Sequence, residues 1–420
     1  MLRSADKWLA GYLLSLLRRP RRVAGPRHLV VAVVDHFEPL EVLMREGGPR
    51  ASEEHVGSRA QRLEWVREWA EGYPRAVAGW RDADGQPPRH TFFISPDDYE
   101  PGWVGQIVRL CARGFGEVEL HLHHRHDTAE GLRQKLAAFR DRLRQEHGAL
   151  GSWGKRAVCG CAPEGRLASG GSAAEAGRPT DGTAAEAGRP PGGTGATETP
   201  VSEPSAPCAP TRDTRHATPA YGFIHGNWAL CNARPDGDWC GVNEELAVLA
   251  QTGCYADFTF PSAPSPTQPR MVNAIYRAWD RPEGRGADRG LPIVAGSTPN
   301  ARSARTPRAT RRALTIVTGP LALDWRRRKW GLLPRLDNGA INHVNRPTAE
   351  RIDLWVRQGI HVAGRPEWVF VKVCTHGCVP SSGRLFLGEA MRAAHAHLQA
   401  AYNDGAPWRL HYVTARELYN

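Results

Sequence analysis

The sequence predicts an α/β fold, a single (β/α) barrel, and three observations carry that prediction. The first is a continuous apolar run, Leu29-Val30-Val31-Ala32-Val33-Val34, of the kind that forms a parallel strand covered on both faces. The second is the alternation of such runs with helical patterns through the first third of the chain. The third is the recurrence of ionisable residues at the ends of separate strands: Asp35-His36, His121 to Asp127, His225, Asp257 and His376. A parallel barrel would gather these at one mouth.

A chain of 420 residues is long enough for one large domain of this kind or two ordinary ones. A hydrophobic fraction of 41% and 14 Trp supply a sizeable core. The net charge of +11 comes almost wholly from Arg, alongside abundant Ala, Gly and Pro. That bias resembles GC-rich coding more than a nucleic-acid surface, so no nucleic-acid partner is expected. Nine cysteines, an odd number without CxxC spacing, do not make a disulfide framework. A reducing, cytoplasmic setting is expected.

Residues 1–26 hold an apolar run from Trp8 to Leu17, followed by Arg18, Arg19, Arg21 and Arg22. A spanning helix needs about 20 apolar residues. A signal peptide carries its charges before the run, not after it. The segment therefore reads as an amphipathic basic helix that either packs on the domain or makes peripheral contact with a membrane surface.

Residues 27–161 and 220–420 read as the barrel. The strand Arg27 to Val34 ends in Asp35-His36-Phe37-Glu38-Pro39. A helix from Glu53 to Tyr73 presents Val56, Leu63, Val66 and Trp69 on one stripe. His90 to Ile94 is a strand and Trp103 to Arg113 a short helix. In Glu117-Val118-Glu119-Leu120-His121-Leu122-His123, the apolar residues alternate with polar ones, so His121 and His123 share one face of a strand. Four histidines and Asp127 fall within the seven residues from His121. Imidazoles and carboxylates gathered at a strand end suit a divalent metal. A helix from Glu130 to His147 follows.

Residues 162–219 differ in kind. Ala173-Ala174-Glu175-Ala176-Gly177-Arg178-Pro179 recurs from Ala184 to Pro190, and large apolar residues are almost absent. Such a composition buries too little surface to offset its ordering entropy, which predicts a disordered insertion in a surface loop.

Beyond it, the stretch Ala220 to Leu230 reads as a strand with His225, Asn227 and Trp228 at its end. Asn243 to Gln251 is a helix, and Tyr255 to Pro261 a strand containing Asp257. Leu314 to Val317 is a strand, Thr348 to Arg357 a helix, and Trp368 to Gly377 a strong strand that delivers His376. Gly388 to Tyr402 and Trp408 to Tyr412 close the chain as helix and strand.

Taken in this order, the motifs resemble those of the polysaccharide deacetylases with the NodB homology domain, a distorted (β/α) barrel. Asp35-His36-Phe37 stands where that family has Asp-Asp-Gly, with His36 in place of the second carboxylate. The resemblance implies Asp35 as catalytic base, His36 as a metal ligand, and His376, in Val373-Cys374-Thr375-His376, as general acid. The family's His-x-x-x-His is absent as such. His123 and Asp127 have its spacing and are the implied ligands, with His121 on the same face. His225, Asn227, Trp228 and Asp257 fall in the region of the family's substrate loops. The implied cofactor is a divalent metal, Zn2+ by ligand type, and the implied activity is deacetylation of a carbohydrate.

Two other readings stay open. Asp35, Glu38 and Asp257 would serve a glycoside hydrolase, which needs two carboxylates about 5 to 10 Å apart. Substituted motifs at His36 and Asp127 would suit a glycan-binding protein that keeps the fold without catalysis.

Overall fold

A computed structural model describes residues 3–20, 23–39, 44–45, 48–49, 58–150, 221–296 and 313–420. The expected insertion at 162–219 and the first turn of the expected Glu53 helix lie outside them. The helices are α1 (Ala5–Arg18), α2 (Arg59–Ala76), α3 (Pro101–Leu110), α4 (Ala129–His147), α5 (Glu245–Gln251), α6 (Ala349–Val356), α7 (Pro380–Phe386), α8 (Glu389–Tyr402) and α9 (Ala415–Tyr419). The first strands are β1 (Arg27–His36), β2 (Met44–Arg45), β3 (Gly48–Pro49), β4 (His90–Ile94), β5 (Gly116–Leu122), β6 (Tyr221–His225) and β7 (Cys254–Asp257). The remainder are β8 (Ile275–Ala278), β9 (Leu291–Pro292), β10 (Leu314–Val317), β11 (Ala322–Lys329), β12 (Leu333–Asp337), β13 (Trp368–Thr375) and β14 (Trp408–Val413).

Ten strands form one sheet in the order β13-β1-β4-β5-β6-β7-β10-β8-β9, with β14 also on β1. From β13 to β10 every pairing is parallel; β8 and β9 add antiparallel strands at the edge. The sheet is the expected parallel one. The expected closed barrel is not found among the described residues: beyond β1, β13 pairs only through a single bridge, Cys374 to Ala340. One edge of β1 is shared, β14 taking Arg27 to Ala32 and β4 taking Val33 to His36. That sharing is possible because β1 is ten residues long, about twice the length of β4.

Alternation decides what each strand residue meets. Leu29, with Val31 and Val33 beside it, packs against Trp355, Met391 and Leu398 of the covering helices. Val30, Ala32 and Val34 pack with Phe93, Ile224 and Phe258 on the other face. On β5, Val118, Leu120 and Leu122 join the core beneath α3 and α4, while Glu119 and His121 are buried on the opposite face. The alternation was legible in the sequence; burial of both faces was not, because nothing in β5 alone shows how many layers cover it.

The helix ends obey local chemistry. Ser58 and Gln61 form a reciprocal capping box at α2, and the Thr128 hydroxyl caps α4 by accepting from Gly131 N. Gly148, at φ 62°, ends α4 in the left-handed conformation that glycine adopts readily. The N-terminal helix packs on the domain through Trp8, Tyr12 and Ser15. Among the described residues, no helix is long and apolar enough to cross a membrane. The six described cysteines are all unpaired with one another.

Candidate metal centre

Strand β1 ends on His36, which shares its face with Val34 and turns toward β5 and the end of β13. Its ring lies 4.6 Å from that of His121 and 4.8 Å from that of His376, centre to centre. Glu38 follows two residues later in an extended stretch and comes to the same place. Its backbone is pinned by the Cys378 sulfur, 3.1 Å from Glu38 N. One donor atom from each of His36, Glu38 and His121 lies within 4.8 Å of the others, and all three residues are buried.

Glu38 Oε1 stands 3.1 Å from His121 Nε2 and 3.4 Å from His123 Nδ1. The tautomer of His121 follows from its other nitrogen. Nδ1 lies 3.0 Å from the Ile224 carbonyl oxygen, which can only accept, so Nδ1 carries a proton and a neutral ring would have its lone pair on Nε2. Glu38 Oε1 and His121 Nε2 are both buried and neither is hydrogen-bonded. With the His121 ring neutral, two acceptors this close repel unless a cation lies between them. Burial holds the His36 imidazole well below its usual pKa, and burial also pulls His123 down to about 4. Burial opposes charge on Glu38, but His121 and His123 outweigh it and keep the carboxyl well below its usual range. Once their protons leave, imidazoles around one carboxylate are a donor set for a divalent cation, zinc among them.

A second buried group, His124, His225 and Glu245, also brings three donor atoms within 4.8 Å of one another, so either group could hold a metal ion by distance alone. The proton positions separate them. His124 has a carboxylate at each nitrogen, Asp127 Oδ2 at 3.1 Å and Glu245 Oε1 at 3.2 Å. Burial works against its charge, yet the two carboxylates raise its pKa to about 9, so it is an imidazolium at neutral pH. His225 Nδ1 accepts from the backbone N–H of Asn227 and of Ala229, which leaves the proton on Nε2, 4.0 Å from Glu245 Oε1. His124, protonated between two carboxylates, has no lone pair to offer a metal.

The structure brings His36, His121, His123 and His376 together, as the sequence suggested, and separates the other expected residues from them. Asp35, expected beside the metal, is on the opposite face of β1. It is fully buried, with His90 Nε2 at 2.6 Å and Gly377 N at 2.7 Å. Asp127, expected as a ligand, is bonded to His124 and to Lys135 Nζ at 2.9 Å, because the chain turns through His126 at φ 50° before α4. His225 belongs to the second group. Asn227 serves it through its backbone, and Trp228 is exposed in the loop beyond β6. Asp257 is buried with both oxygens on Thr259, and burial lifts its pKa to about 7.

Glu38 and Glu245 were not assigned to a metal from the sequence, and His124 was counted in the histidine cluster without a role of its own. For Glu38 a signal existed: His36-x-Glu38 has the same two-residue spacing as His121-x-His123. For Glu245 there was none, since its partner is 121 residues away. Comparison of the chain with protein-family models and with curated proteins gives no match.

Proposed function

We propose that the chain is a metal-dependent hydrolase that removes acetyl groups from a carbohydrate, on a distorted barrel of the NodB type. The observation that carries the metal-dependent part is the buried His36–Glu38–His121 group, in which Glu38 Oε1 and His121 Nε2 lie 3.1 Å apart and neither has a hydrogen-bond partner. His36, Glu38, His121 and His123 would hold the ion. When bound, a divalent cation supplies Lewis acidity toward an acyl carbonyl. His376 is exposed, stacks on His36 at the rim, and is placed to exchange a proton between a leaving group and solvent. Asp35, behind the strand, acts instead as a positioning residue, since it holds the Gly377 amide next to His376.

The acetylated carbohydrate comes from the motif resemblance, and the exposed ring of Trp228 supports it as a face for stacking on a sugar. The glycoside-hydrolase reading has less support. Of its three carboxylates, Asp35 lies against His90 and Asp257 is bound to Thr259.

Metal content and reaction products test the reading together. The purified chain is expected to carry about one divalent ion and to release acetate, not reducing ends, from acetylated oligosaccharides. His121→Ala and Glu38→Gln are expected to lose the ion while unfolding remains cooperative. A parent protein without divalent metal, or variants that keep it, would overturn the assignment.

A further inference from the structure

The hairpin β11–β12 exposes large apolar side chains that the core does not use. Trp325, Trp330, Leu332 and Leu333 are exposed by 57%, 76%, 77% and 38%. Cations flank them: Arg326, Arg328, Lys329 and Arg335 are exposed and Arg327 is half-buried. The two acids of the hairpin are withdrawn from its surface. Asp324 is buried and accepts from Arg326 N, and Asp337 is buried in a pair with Arg351. Glu350, at the start of α6, is the carboxylate within electrostatic reach of Arg326.

The root of this hairpin is also the seat of α1. Leu323 and Leu336 pack in one cluster with Trp8, Tyr12, Val272 and Leu321. Asn273 Nδ2 donates both to Ser15 Oγ at 3.2 Å and to the Leu321 carbonyl at 2.9 Å. With its Trp8–Tyr12–Ser15 stripe buried here, α1 leaves Leu13, Leu14 and Leu17 exposed, with Arg18 next to them. Two neighbouring elements thus repeat one pattern, exposed Leu or Trp beside exposed positive charge.

We propose that hairpin β11–β12, with α1 beside its root, seats the protein on an anionic lipid bilayer. Trp at the headgroup level, leucines below it and Arg or Lys against lipid phosphates are the components of interfacial binding. A nucleic acid would use the cations but leaves the leucines without a partner. The proposal is independent of the hydrolase reading.

The test is sedimentation of the full chain with phosphatidylcholine vesicles, with and without roughly one-third phosphatidylserine, near physiological salt. The parent is expected to sediment with the anionic vesicles and only weakly with the neutral ones, and its Trp emission to shift to the blue. The tip variant Trp330→Ser with Leu332→Ser is expected to bind about tenfold less or weaker. The charge variant Arg326→Ala, Arg328→Ala, Lys329→Ala is expected to lose roughly fivefold for each cation removed. Thermal melts of both variants, whose changed residues are outside the core, check the fold. Equal sedimentation with both vesicle types, no sedimentation, or full binding by the tip variant overturns the proposal. So does tighter binding to duplex DNA than to anionic vesicles, or a parent dimer that the tip variant dissociates.

Discussion

On β1, the side chain of Asp35 meets His90 and the Gly377 amide, whereas His36, one residue on, meets His121 and His376. The pleat of the strand divides the two, and their chemistries follow from the side each takes. Asp35 is a buried carboxylate whose bonds support the turn that carries His376. Its removal leaves His90 and an amide without their partner, so Asp35→Ala is expected to cost about 3 to 5 kcal/mol in urea unfolding. Asp35→Asn, which keeps the shape, is expected to retain bound metal and to lower hydrolysis through a looser His376. Loss of the ion in Asp35→Asn, measured by elemental analysis, would place Asp35 among the ligands after all.

Elements set the distances within the centre. The end of β5 delivers His121 and His123, and the end of β6 closes against them through Ile224 and Gly226. A Cβ on Gly226 would stand 2.0 Å from His123 Cδ2, so the absence of a side chain there is what lets the imidazole lie over the strand end. Gly226→Ala is expected to push His123 away from Glu38 while β6 keeps its ladder. Metal affinity should fall about 10- to 100-fold, the usual effect of disturbing a ligand's support. A competition titration with a chelator reads this directly, and an unchanged affinity would remove His123 from the ligand set. The loop after β13 acts in the same way on the other side, because Cys378 fastens Glu38 N.

Across the whole molecule, polar groups are buried on both faces of the sheet, and this makes stability depend on pH. His395 of α8 is not part of the His36–Glu38–His121 group. Burial between α8 and β14 lowers its pKa to about 4, and its Nδ1 lies 3.0 Å from the Tyr412 hydroxyl. The unfolded chain takes up this proton below about pH 6.5 and the folded chain only near pH 4. Stability from this group is therefore full above pH 6.5 and declines as the pH falls toward 4, by about 3 kcal/mol over the interval. Glu117 works in the opposite sense, since burial raises its pKa to about 8 and it binds a proton on folding. The parent's net slope thus mixes both signs, and the difference between parent and His395→Gln isolates one. That variant is expected to lose less stability than the parent between pH 7 and pH 4.5 in urea titrations; equal slopes would show that His395 is solvated in the folded chain.

Local pattern alone determined a good deal of this protein. The strand His90–Ile94 has the bounds expected from its apolar run, and α4 and α8 lie within a residue of theirs, because period and capping act over a few residues. The gathering of His36, His121, His123 and His376 was also legible, since each ends a strand and parallel strands end on one side. What only the tertiary structure decided is which carboxylate joins them. One step along a strand reverses a side chain, so Asp35, expected beside the metal, lies on the far face of β1 and Glu38 takes the near one. The same long-range pairing places β14 beside β1 and leaves β13 with a single bridge on its far edge. It also turns a stretch of Arg, Trp and Leu with no clear period into a hairpin, because β11 and β12 find their register in each other and their root against α1 and α6.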